Sequence, residues 1–420
     1  MGTGIGRIAM DVIVIGGGPA GMMAAWAAAM EGAAVCLWER NARLGRKLAI
    51  TGKGRCNITN QCEIEELVRH IPGNGSFLYG AFSRFSPQDI MDFFARAGVP
   101  VKVERGRRVF PQSDKAADVV NAMTQALRDA GVTVAYERRA KSLRIQDGAV
   151  QGVVDGQGRF FPASRVIVAC GGASYPATGS TGDGYRLAED AGHTVIPPQP
   201  SLAPLTTVET WPEQVMGLSL KNVRLKAEKE GKLLGEEFGE MLFTHFGISG
   251  PIVLTLSRPV IEAGGAGVRL YLDLKPALRP EQLRRRLDRD LQKFCRRQLQ
   301  NGMDDLLPAS LIPVFLGLSG VDVHKPCNQL TREERQTLAL LMKAIPLTVQ
   351  GCRPLAEAIV TKGGVRVDQV SPKTMESKLA QGLYFAGEVL DVDGYTGGYN
   401  LQIAWSSGYV AGQAAGRSME

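Results

Sequence analysis

The alternation of hydrophobic runs and helical segments predicts the first part of the fold. Residues 11–15 (DVIVI) form a short β-branched run, typical of a strand buried on both faces of a parallel sheet. The alanine-rich residues 22–32 predict a helix that ends at Gly32, and residues 33–38 predict a second strand. A further buried strand is predicted at 166–170. Strands that alternate with helices indicate an α/β fold with a central parallel sheet.

The pattern changes in the middle of the chain. After the proline-rich residues 197–205, short β-type runs separated by turn glycines predict a small antiparallel β-domain. From Pro280 a helical period takes over and predicts a small helical domain. We therefore predict a Rossmann-type domain made of residues 1–194 and 353–420, interrupted by a β-domain (195–277) and a helical domain (278–352).

Glycines in G-x-G-x-x-G spacing separate the first predicted strand from its helix. In this arrangement the first glycine permits a tight turn, the second lets a pyrophosphate approach, and the third lets helix and strand pack closely. Glu39 ends the second strand, 18 residues after Gly21, where a carboxylate can accept ribose hydroxyls and disfavours a 2′-phosphate. We expect FAD or NAD rather than NADP. The candidate contacts are Gly16, Gly18, Pro19, Ala20, Gly21, Glu39 and Arg40.

Composition narrows the function classes. The 420 residues are 44% hydrophobic and 22% charged, as in a soluble globular protein, and a net charge of +7 permits an anionic ligand or RNA. Seven cysteines without C-x₂₋₄-C spacing and only four histidines argue against a metal site and fit a reducing cytoplasm. No apolar run is long enough for a membrane span, and no signal peptide is evident. Met10 is an alternative start, which would make residues 1–9 dispensable.

Two later stretches carry a resemblance to a known class. Residues 166–192 contain a strand that ends in two glycines and then TGDG, and residues 382–412 contain AGE followed by TGGYN. With the N-terminal motif, they resemble the glutathione-reductase-type FAD proteins, in the branch that includes fumarate reductases. The resemblance implies FAD, with Glu388 or Asp391 on the ribityl chain and the N-terminus of a helix from Tyr399 facing the flavin. The contacts implied are Gly171, Gly172, Thr181, Gly182, Asp183, Gly387, Glu388, Asp391, Gly397, Gly398, Tyr399, Asn400 and Leu401.

Four more stretches (45–60, 110–120, 239–254 and 358–370) resemble the BaiN-like and YhiN-like bacterial FAD flavoproteins, so that the resemblance covers nearly the whole chain. It implies a reductase of an activated C=C bond. The expected substrate is uridine in large-subunit ribosomal RNA, which becomes dihydrouridine; a steroid-type enone of bile-acid metabolism is the alternative. A flavin-binding redox sensor or assembly factor is a third reading. NADH or NADPH would bind transiently, because no second dinucleotide fingerprint occurs.

The segment TGKGRCN (51–57) is expected to cross the cofactor, although it lacks the spacing of a phosphate-binding P-loop. Cys56 is either an acid that protonates the substrate, a small thiol packed beside the cofactor, or a redox partner of Cys62. Arg55 either contacts an anion of the cofactor or substrate or forms a surface ion pair. His245 is either an acid that also orients the substrate or a structural residue. The candidate cofactor contacts here are Lys47, Thr51, Gly52, Gly54, Arg55, Cys56 and Asn57.

An arginine-rich stretch (284–297) lies in the predicted helical domain. It is either a solvated helix face with ion pairs to Asp288 and Asp290 or a surface for the phosphate backbone of ribosomal RNA. The net charge and this stretch favour RNA over a small-molecule substrate. The choice between NADH and NADPH and the oligomeric state stay open. The cations are Arg284, Arg285, Arg286, Arg289, Lys293, Arg296 and Arg297.

Overall fold

A computed structural model of the chain describes residues 10–417, so the expectation about residues 1–9 lies outside the described part. The chain forms two compact units. The first unit contains the residues up to Pro200 and those from Ala358 onwards, and the second unit is Ser201–Glu357. Each unit has its own hydrophobic core cluster.

The N-terminal part of the first unit contains ten strands and seven helices among the described residues. The strands are β1 (Met10–Ile15), β2 (Val35–Trp38), β3 (Thr59–Asn60), β4 (Val101–Glu104), β5 (Arg108–Pro111), β6 (Thr133–Ala135), β7 (Ala140–Gln146), β8 (Ala149–Asp155), β9 (Phe160–Val168) and β10 (Val195–Ser201). The helices are α1 (Pro19–Met30), α2 (Arg46–Ile50), α3 (Ile64–Arg69), α4 (Tyr79–Arg84), α5 (Pro87–Arg96), α6 (Ala116–Asp129) and α7 (Asp183–Asp190).

The second unit combines a closed antiparallel barrel, of strand order β11-β14-β13-β12-β15-β16, with five helices. Buried leucines of the barrel, such as Leu272, and of the helices, such as Leu287, belong to one core cluster, so both segments are parts of one compact unit. β16 lies beyond the helices in sequence and closes the barrel against β11. The elements are β11 (Leu205–Thr207), α8 (Trp211–Gln214), β12 (Ser219–Lys229), β13 (Lys232–Thr244), β14 (Gly247–Ser249), α9 (Pro251–Glu262), β15 (Arg269–Asp273), α10 (Pro280–Lys293), α11 (Ile312–Ser319), α12 (Arg332–Lys343) and β16 (Ile345–Cys352).

The chain then returns to the first unit through β17 (Val360–Val365), β18 (Leu383–Phe385) and α13 (Tyr399–Gly416). The central sheet has the order β6-β2-β1-β9-β8-β7, and β18 also pairs with β9. Strands β6, β2, β1, β9 and β18 are mutually parallel, whereas β7 and β8 are antiparallel to their neighbours. The predicted α/β fold with a mostly parallel central sheet is confirmed.

Helix α13 packs closely on α1. A Cβ atom placed on any of three α13 glycines would lie 2.1–2.6 Å from a backbone oxygen of α1. The order of these contacts makes the helices parallel, so both N-termini lie at the same end. Tyr399 is nine residues before Gly408 and Pro19 is one before Ala20, so α13 extends about 12 Å further at ~1.5 Å per residue. The facing pairs are Gly408 with Ala20, Gly412 with Ala24, and Gly416 with Ala28.

Candidate cofactor site

The turn between β1 and α1 has the geometry that its glycines predict. A Cβ on Gly21 would lie 1.8 Å from the Gly16 oxygen, so only glycine permits this packing. A Cβ on Gly18 would meet no atom within 4 Å, which leaves room for a bulky group beside the backbone. Within residues 10–417, α1 has neither a side-chain N-cap nor an acidic residue in its first turn. Its N-terminus is therefore suited to a phosphate. Pro19 and Ala20 are its first two residues.

Glu39 lies buried directly after β2 and beside this turn. One carboxylate oxygen accepts a hydrogen bond of 2.8 Å from the Gly17 amide. The other accepts bonds from the amide N–H and the side-chain Nδ2 of Asn41, at 2.7 and 2.6 Å. These bonds fix the carboxylate at the edge of the glycine turn, where the sequence predicts the ribose.

The TGDG segment contacts Arg40, the residue that directly follows Glu39 in sequence. Arg40 Nη1 donates to Thr181 Oγ1 at 2.5 Å and to Asp183 Oδ2 at 3.0 Å. Gly182 is left-handed, with φ of 78°, and precedes α7. Burial acts to raise the pKa of Asp183, but the hydrogen bonds and charge of Arg139 outweigh burial and hold it below its ordinary value. Asp183 is therefore an ionised anchor for two guanidinium groups.

A second polar cluster, which we call the Glu388 cluster, consists of Lys47, Ser174, Thr361 and Glu388. Lys47 Nζ lies 2.9 Å from Glu388 Oε2 and 2.7 Å from Ser174 Oγ, and the Thr361 amide donates to Glu388 at 2.9 Å. A Cβ on Gly172 would lie 2.4 Å from Thr361 Oγ1, so the double glycine after β9 sits against this cluster. Lys47, Gly171, Gly172, Gly387 and Glu388, all predicted from the sequence, thus meet in one place.

Sequence reasoning did not identify Ser174 or Thr361 as members of this cluster. Both occur inside stretches that carry the family resemblance, Ser174 two residues after the double glycine and Thr361 in TKGG. A signal was therefore present. Which side chains of those stretches contact Glu388 depends on the packing of β17 against the β9 turn, and spacing alone does not reveal it.

The N-terminus of α13 is built from Gly397 and Gly398, whose φ values are 127° and 105°. A Cβ on Gly398 would lie 2.4 Å from the Thr59 oxygen, so β3 runs directly against this turn. Among the described residues, α13 has no side-chain N-cap and no acid in its first turn, and its N-terminus is therefore suited to a group that gains negative charge. Leu401 is half-buried in that first turn.

Asn400 and Asp391 shape the loop that leads into α13. The Asn400 side chain accepts from the Gly394 amide at 2.8 Å and donates to the Gly394 oxygen at 2.7 Å, so it holds this loop in place. Asp391 accepts from Asn74 Nδ2 at 3.1 Å. Burial, and then the charge of Asp393, raise the pKa of Asp391 above its ordinary value.

His70 is a residue of this region that the sequence did not single out. Its ring stacks on Tyr399 with centroids 4.4 Å apart and planes 7° from parallel. Nδ1 lies 2.7 Å from the Glu66 carbonyl oxygen, so Nδ1 carries the proton and donates it. Burial raises the pKa of the Tyr399 hydroxyl. No local sequence pattern marks His70, because its position depends on α3 packing beside α13.

Several residues of the TGKGRCN loop have a left-handed backbone conformation, which residues with a Cβ atom rarely adopt. Gly52, Lys53, Gly54 and Cys56 all have φ between 58° and 83°. For the two non-glycine residues this costs on the order of 1–2 kcal/mol each, which is typical of functional loops. Cys56 is fully buried, and burial raises the pKa of its thiol to about 12, against the opposing hydrogen bond of Thr51. The amide oxygen of Asn57 is buried without a hydrogen-bond partner among residues 10–417.

Arg55 is held by carboxylates of the neighbouring small sheet. Its guanidinium donates to Asp114 at 2.6 and 2.8 Å and also binds Glu104, while Phe110 covers it at 4.1 Å. Hydrogen bonds from Lys102 and then Arg55 hold the pKa of Asp114 below its ordinary value. Arg55 thus has an ion-pair environment, and a role towards a cofactor or substrate anion stays a prediction.

His245 belongs to the second unit, at the turn between β13 and β14, where its ring packs edge-on to Phe246 at 4.9 Å. Its role as an acid stays a prediction.

The arginine-rich stretch also belongs to the second unit, and it extends past the helix. Leu283, Leu287 and Leu291 are buried along α10, and the arginines lie mainly on its other face. Arg286 and Arg289 pair with Asp290, and Lys293 with Asp305, whereas Asp288 pairs with Arg335. The remaining cations are exposed. Arg296 and Arg297 lie beyond the end of α10, and within the described chain Arg284, Arg285 and Arg296 form no ion pair.

The residues present fit FAD. Two helix N-termini without side-chain caps lie at one end of a parallel helix pair, a buried carboxylate sits at the glycine turn, and the Glu388 cluster offers further polar groups. All seven cysteines are free, Cys56 and Cys62 included. Across residues 10–417, no three His, Cys, Asp or Glu side chains are grouped so that they could hold a metal ion. No helix in that range is both long and apolar enough to span a membrane.

Fold and site together define an FAD-dependent oxidoreductase of the Rossmann type. The chain belongs to the HI0933-like family, because the family described as "HI0933-like protein Rossmann domain" matches residues 10–414. It is 35% identical over 406 residues to a 3-dehydro-bile acid delta(4,6)-reductase of Clostridium scindens, covering 96% of this chain and 98% of the relative. It is 32% identical over 412 residues to a ribosomal RNA dihydrouridine synthase of Haemophilus influenzae, with coverage of 96% and 98%.

A structure of E. coli quinol fumarate reductase shares the fold, with a TM-score of 0.52 at 16% identity over 97% of this chain and 70% of that chain. The predicted family and the fumarate-reductase-like fold are thus confirmed.

Proposed function

We propose that this protein reduces uridine to dihydrouridine in large-subunit ribosomal RNA, in the cytoplasm, with NADH or NADPH as the electron source. The ribosomal RNA dihydrouridine synthase of Haemophilus influenzae, 98% of which aligns with this chain, supports this activity. The observation on this chain that carries the proposal is the exposed arginine face of α10. Arg284 and Arg285 on this face, and Arg296 just beyond the end of α10, are exposed and have no ion-pair partner in the described chain. Such cations are available to the phosphate backbone of an RNA.

When bound, FAD supplies in its reduced form a hydride to an electron-poor carbon–carbon double bond. The chain's residues hold and orient the reactants around that step. The N-terminus of α13, fixed by Asn400 and by the contact of Gly398 with β3, offers a partial positive charge. The Glu388 cluster and Glu39 hold polar groups at defined positions.

The reduction also needs a proton at the neighbouring carbon. Cys56 holds one across the physiological range, because burial raises the pKa of its thiol to about 12. His245 is the second candidate donor. A variant of each residue tests its role as the donor. Cys56→Ala should retain FAD, and unchanged turnover of this variant would show that the thiol only packs in the core.

The test uses ribosomal RNA from a strain that lacks the gene. Purified protein, NADH or NADPH and that RNA are mixed without oxygen, and the nucleosides are analysed by mass spectrometry. We expect uridine at a defined site to gain two hydrogens, and the deletion strain to lack dihydrouridine there. If every dihydrouridine of the ribosomal RNA persists in the deletion strain, the proposal fails.

A second candidate is reduction of a steroid-type enone. The specific observation in its favour is the 35% identity to the bile-acid reductase, which exceeds the 32% to the RNA enzyme. Incubation with a 3-oxo-4,6-diene steroid and the same reductant discriminates between the two, since loss of the dienone absorbance without any change in RNA would favour the small-molecule substrate. If neither nicotinamide nucleotide reduces the bound flavin, a redox sensor or assembly factor becomes the better reading.

A further inference from the structure

A basic pocket lies in the first unit, outside the glycine turn and the Glu388 cluster. It has a volume of about 400 Å³ and is lined by Arg139, Lys141, Gly156 and Arg186. These residues come from the start of β7, from the turn after β8 and from α7, so the pocket is formed by three segments of the chain.

Hydrogen bonds and ion pairs hold the two lining arginines in place, and the pocket keeps an excess of positive charge. Arg139 donates two hydrogen bonds to Asp183, at 2.8 and 2.6 Å, which fixes the plane of its guanidinium. Arg186 binds the Lys141 carbonyl oxygen and lies 3.5 Å from Asp190. Lys141 is exposed, and its amine has no ion pair among the described residues.

Three cations line the pocket, and the carboxylates paired with them are Asp183, which Arg139 shares with Arg40, and Asp190. The excess of positive charge marks the pocket as an anion site.

Gly156 forms an uncharged wall of the pocket. Its amide donates to the Arg139 oxygen at 2.9 Å, which fixes the turn against the start of β7. A Cβ there would meet only the Arg139 oxygen, at 3.8 Å, so a larger side chain is sterically permitted. The pocket can therefore be narrowed without any change in charge.

We propose that this pocket binds a phosphate group of the RNA substrate, with Lys141 as a direct contact and Arg139 and Arg186 as oriented guanidinium partners. The unpaired ammonium of Lys141 is suited to a phosphate oxygen as a point charge, and guanidinium groups that are already paired with a carboxylate keep further N–H donors for a phosphate oxygen. The inference rests on the proposed function, because it takes RNA as the source of the phosphate. It adds a contact surface in the first unit to the arginine face in the second.

The experiment compares Lys141→Ala with Lys373→Ala, which removes the same charge from another exposed lysine of the first unit. Affinity for a ribosomal RNA fragment is measured from low to moderate salt, with FAD content determined for each variant. We expect Lys141→Ala to weaken binding about fivefold near 0.1 M salt and to lower the slope of log K against log salt by about 0.7. Gly156→Leu should also weaken binding. Lys373→Ala should match the wild type.

The outcomes separate this inference from the proposed function. Equal slopes for Lys141→Ala and Lys373→Ala overturn the pocket even if dihydrouridine is formed. A lowered slope without any dihydrouridine supports the pocket and overturns the function. Loss of FAD from Lys141→Ala would assign the pocket to the adenosine end of the cofactor and overturn the inference. A KM that rises for NADPH but not for NADH, with RNA binding unchanged, would also overturn it, because the phosphate then comes from the reductant.

Discussion

Two regions, the Glu388 cluster of the first unit and α10 of the second, use charged side chains in opposite ways. In the first unit, Lys47 and Glu388 lie 341 residues apart in sequence, pair at 2.9 Å and are each about one-fifth exposed. In the second unit, Arg286 and Asp290 are neighbours on one helical face, and Arg284 and Arg285 point to solvent. Long-range polar contacts that are shielded from water fix the relative positions of distant segments, whereas local pairs leave charge available at the surface. The first arrangement builds a site, and the second presents a surface.

The largest loss of stability is expected when a glycine of α13 in the first unit is replaced by alanine, and a glycine of α11 in the second unit provides the control. Gly412→Ala would place a Cβ 2.1 Å from the Ala24 oxygen, so α13 must move away from α1, and we expect about 1–3 kcal/mol of destabilisation together with weaker FAD binding. Gly317→Ala is the matched control in α11, where a Cβ meets nothing within 4 Å. Alanine should stabilise that helix by a few tenths to about 1 kcal/mol.

Thermal unfolding and bound-flavin absorbance check both variants. A Gly412→Ala protein as stable as the wild type would contradict the close packing of α1 on α13 from which the parallel helix ends were inferred.

A comparable loss of stability is expected in the first unit, and none in the second, when a carboxylate charge is removed from each unit. Glu388→Gln leaves Lys47 half-buried without its counter-charge, so we expect about 1–3 kcal/mol of destabilisation and roughly tenfold weaker FAD binding. Asp288→Asn in the second unit removes an exposed pair with Arg335 at 3.4 Å and should change neither property measurably. Titration of the apoprotein with FAD, followed by fluorescence, measures the affinity. Equal FAD affinities of the two variants would show that the Glu388 cluster does not belong to the cofactor site.

The buried thiol of the first unit predicts a dependence on alkaline pH. Burial raises the pKa of Cys56 from 9.0 to about 12, so the folded state keeps its proton where the unfolded chain releases it. The stabilisation is fully present below about pH 9 and is lost as the pH rises towards 12. Cys56→Ala should make the fall of stability with pH shallower by up to about 1.4 kcal/mol per pH unit in that window. Denaturant unfolding at several alkaline pH values provides the measurement. An unchanged slope would show that the thiol is accessible to water.

The same comparison explains how much could be predicted from the sequence. The glycine turn and Glu39 were predictable from spacing, because a dinucleotide demands particular residues at fixed positions, whereas Glu388 and the helix from Tyr399 were predicted from the family resemblance. The antiparallel β-segment followed by helices was also visible as a change of period. That β16 closes the barrel was not, because pairing of β16 with β11 joins residues more than 140 positions apart.

Within the site, the partners of single side chains were the hardest to foresee. Arg55 meets two carboxylates because β4 and the residues after β5 fold beside its loop, and His70 stacks on Tyr399 because α3 lies beside the start of α13. Such contacts follow from tertiary packing and leave no local periodic trace in the sequence.

The smallest effect on stability is expected at two neighbouring arginines of α10. Arg284→Ala removes an exposed side chain without an ion pair in the described chain, so the melting temperature should not change. Arg286→Ala, two positions away, removes the 2.6 Å partner of Asp290, a carboxylate whose side chain is only 6% exposed. The melting temperature should fall by a few degrees, because Arg289 at 3.6 Å compensates only in part.

Binding to ribosomal RNA should rank these two variants in the reverse order of stability. Arg284→Ala should lower the salt slope of binding, since its charge is available to a phosphate, whereas Arg286 is already neutralised by Asp290. FAD content should be unchanged in both, because neither residue belongs to the first unit. If Arg284→Ala binds RNA with the same salt slope as the wild type, the exposed face of α10 does not contact RNA phosphates. The support for an RNA substrate would then come only from the first-unit pocket and from the similarity to the ribosomal RNA dihydrouridine synthase.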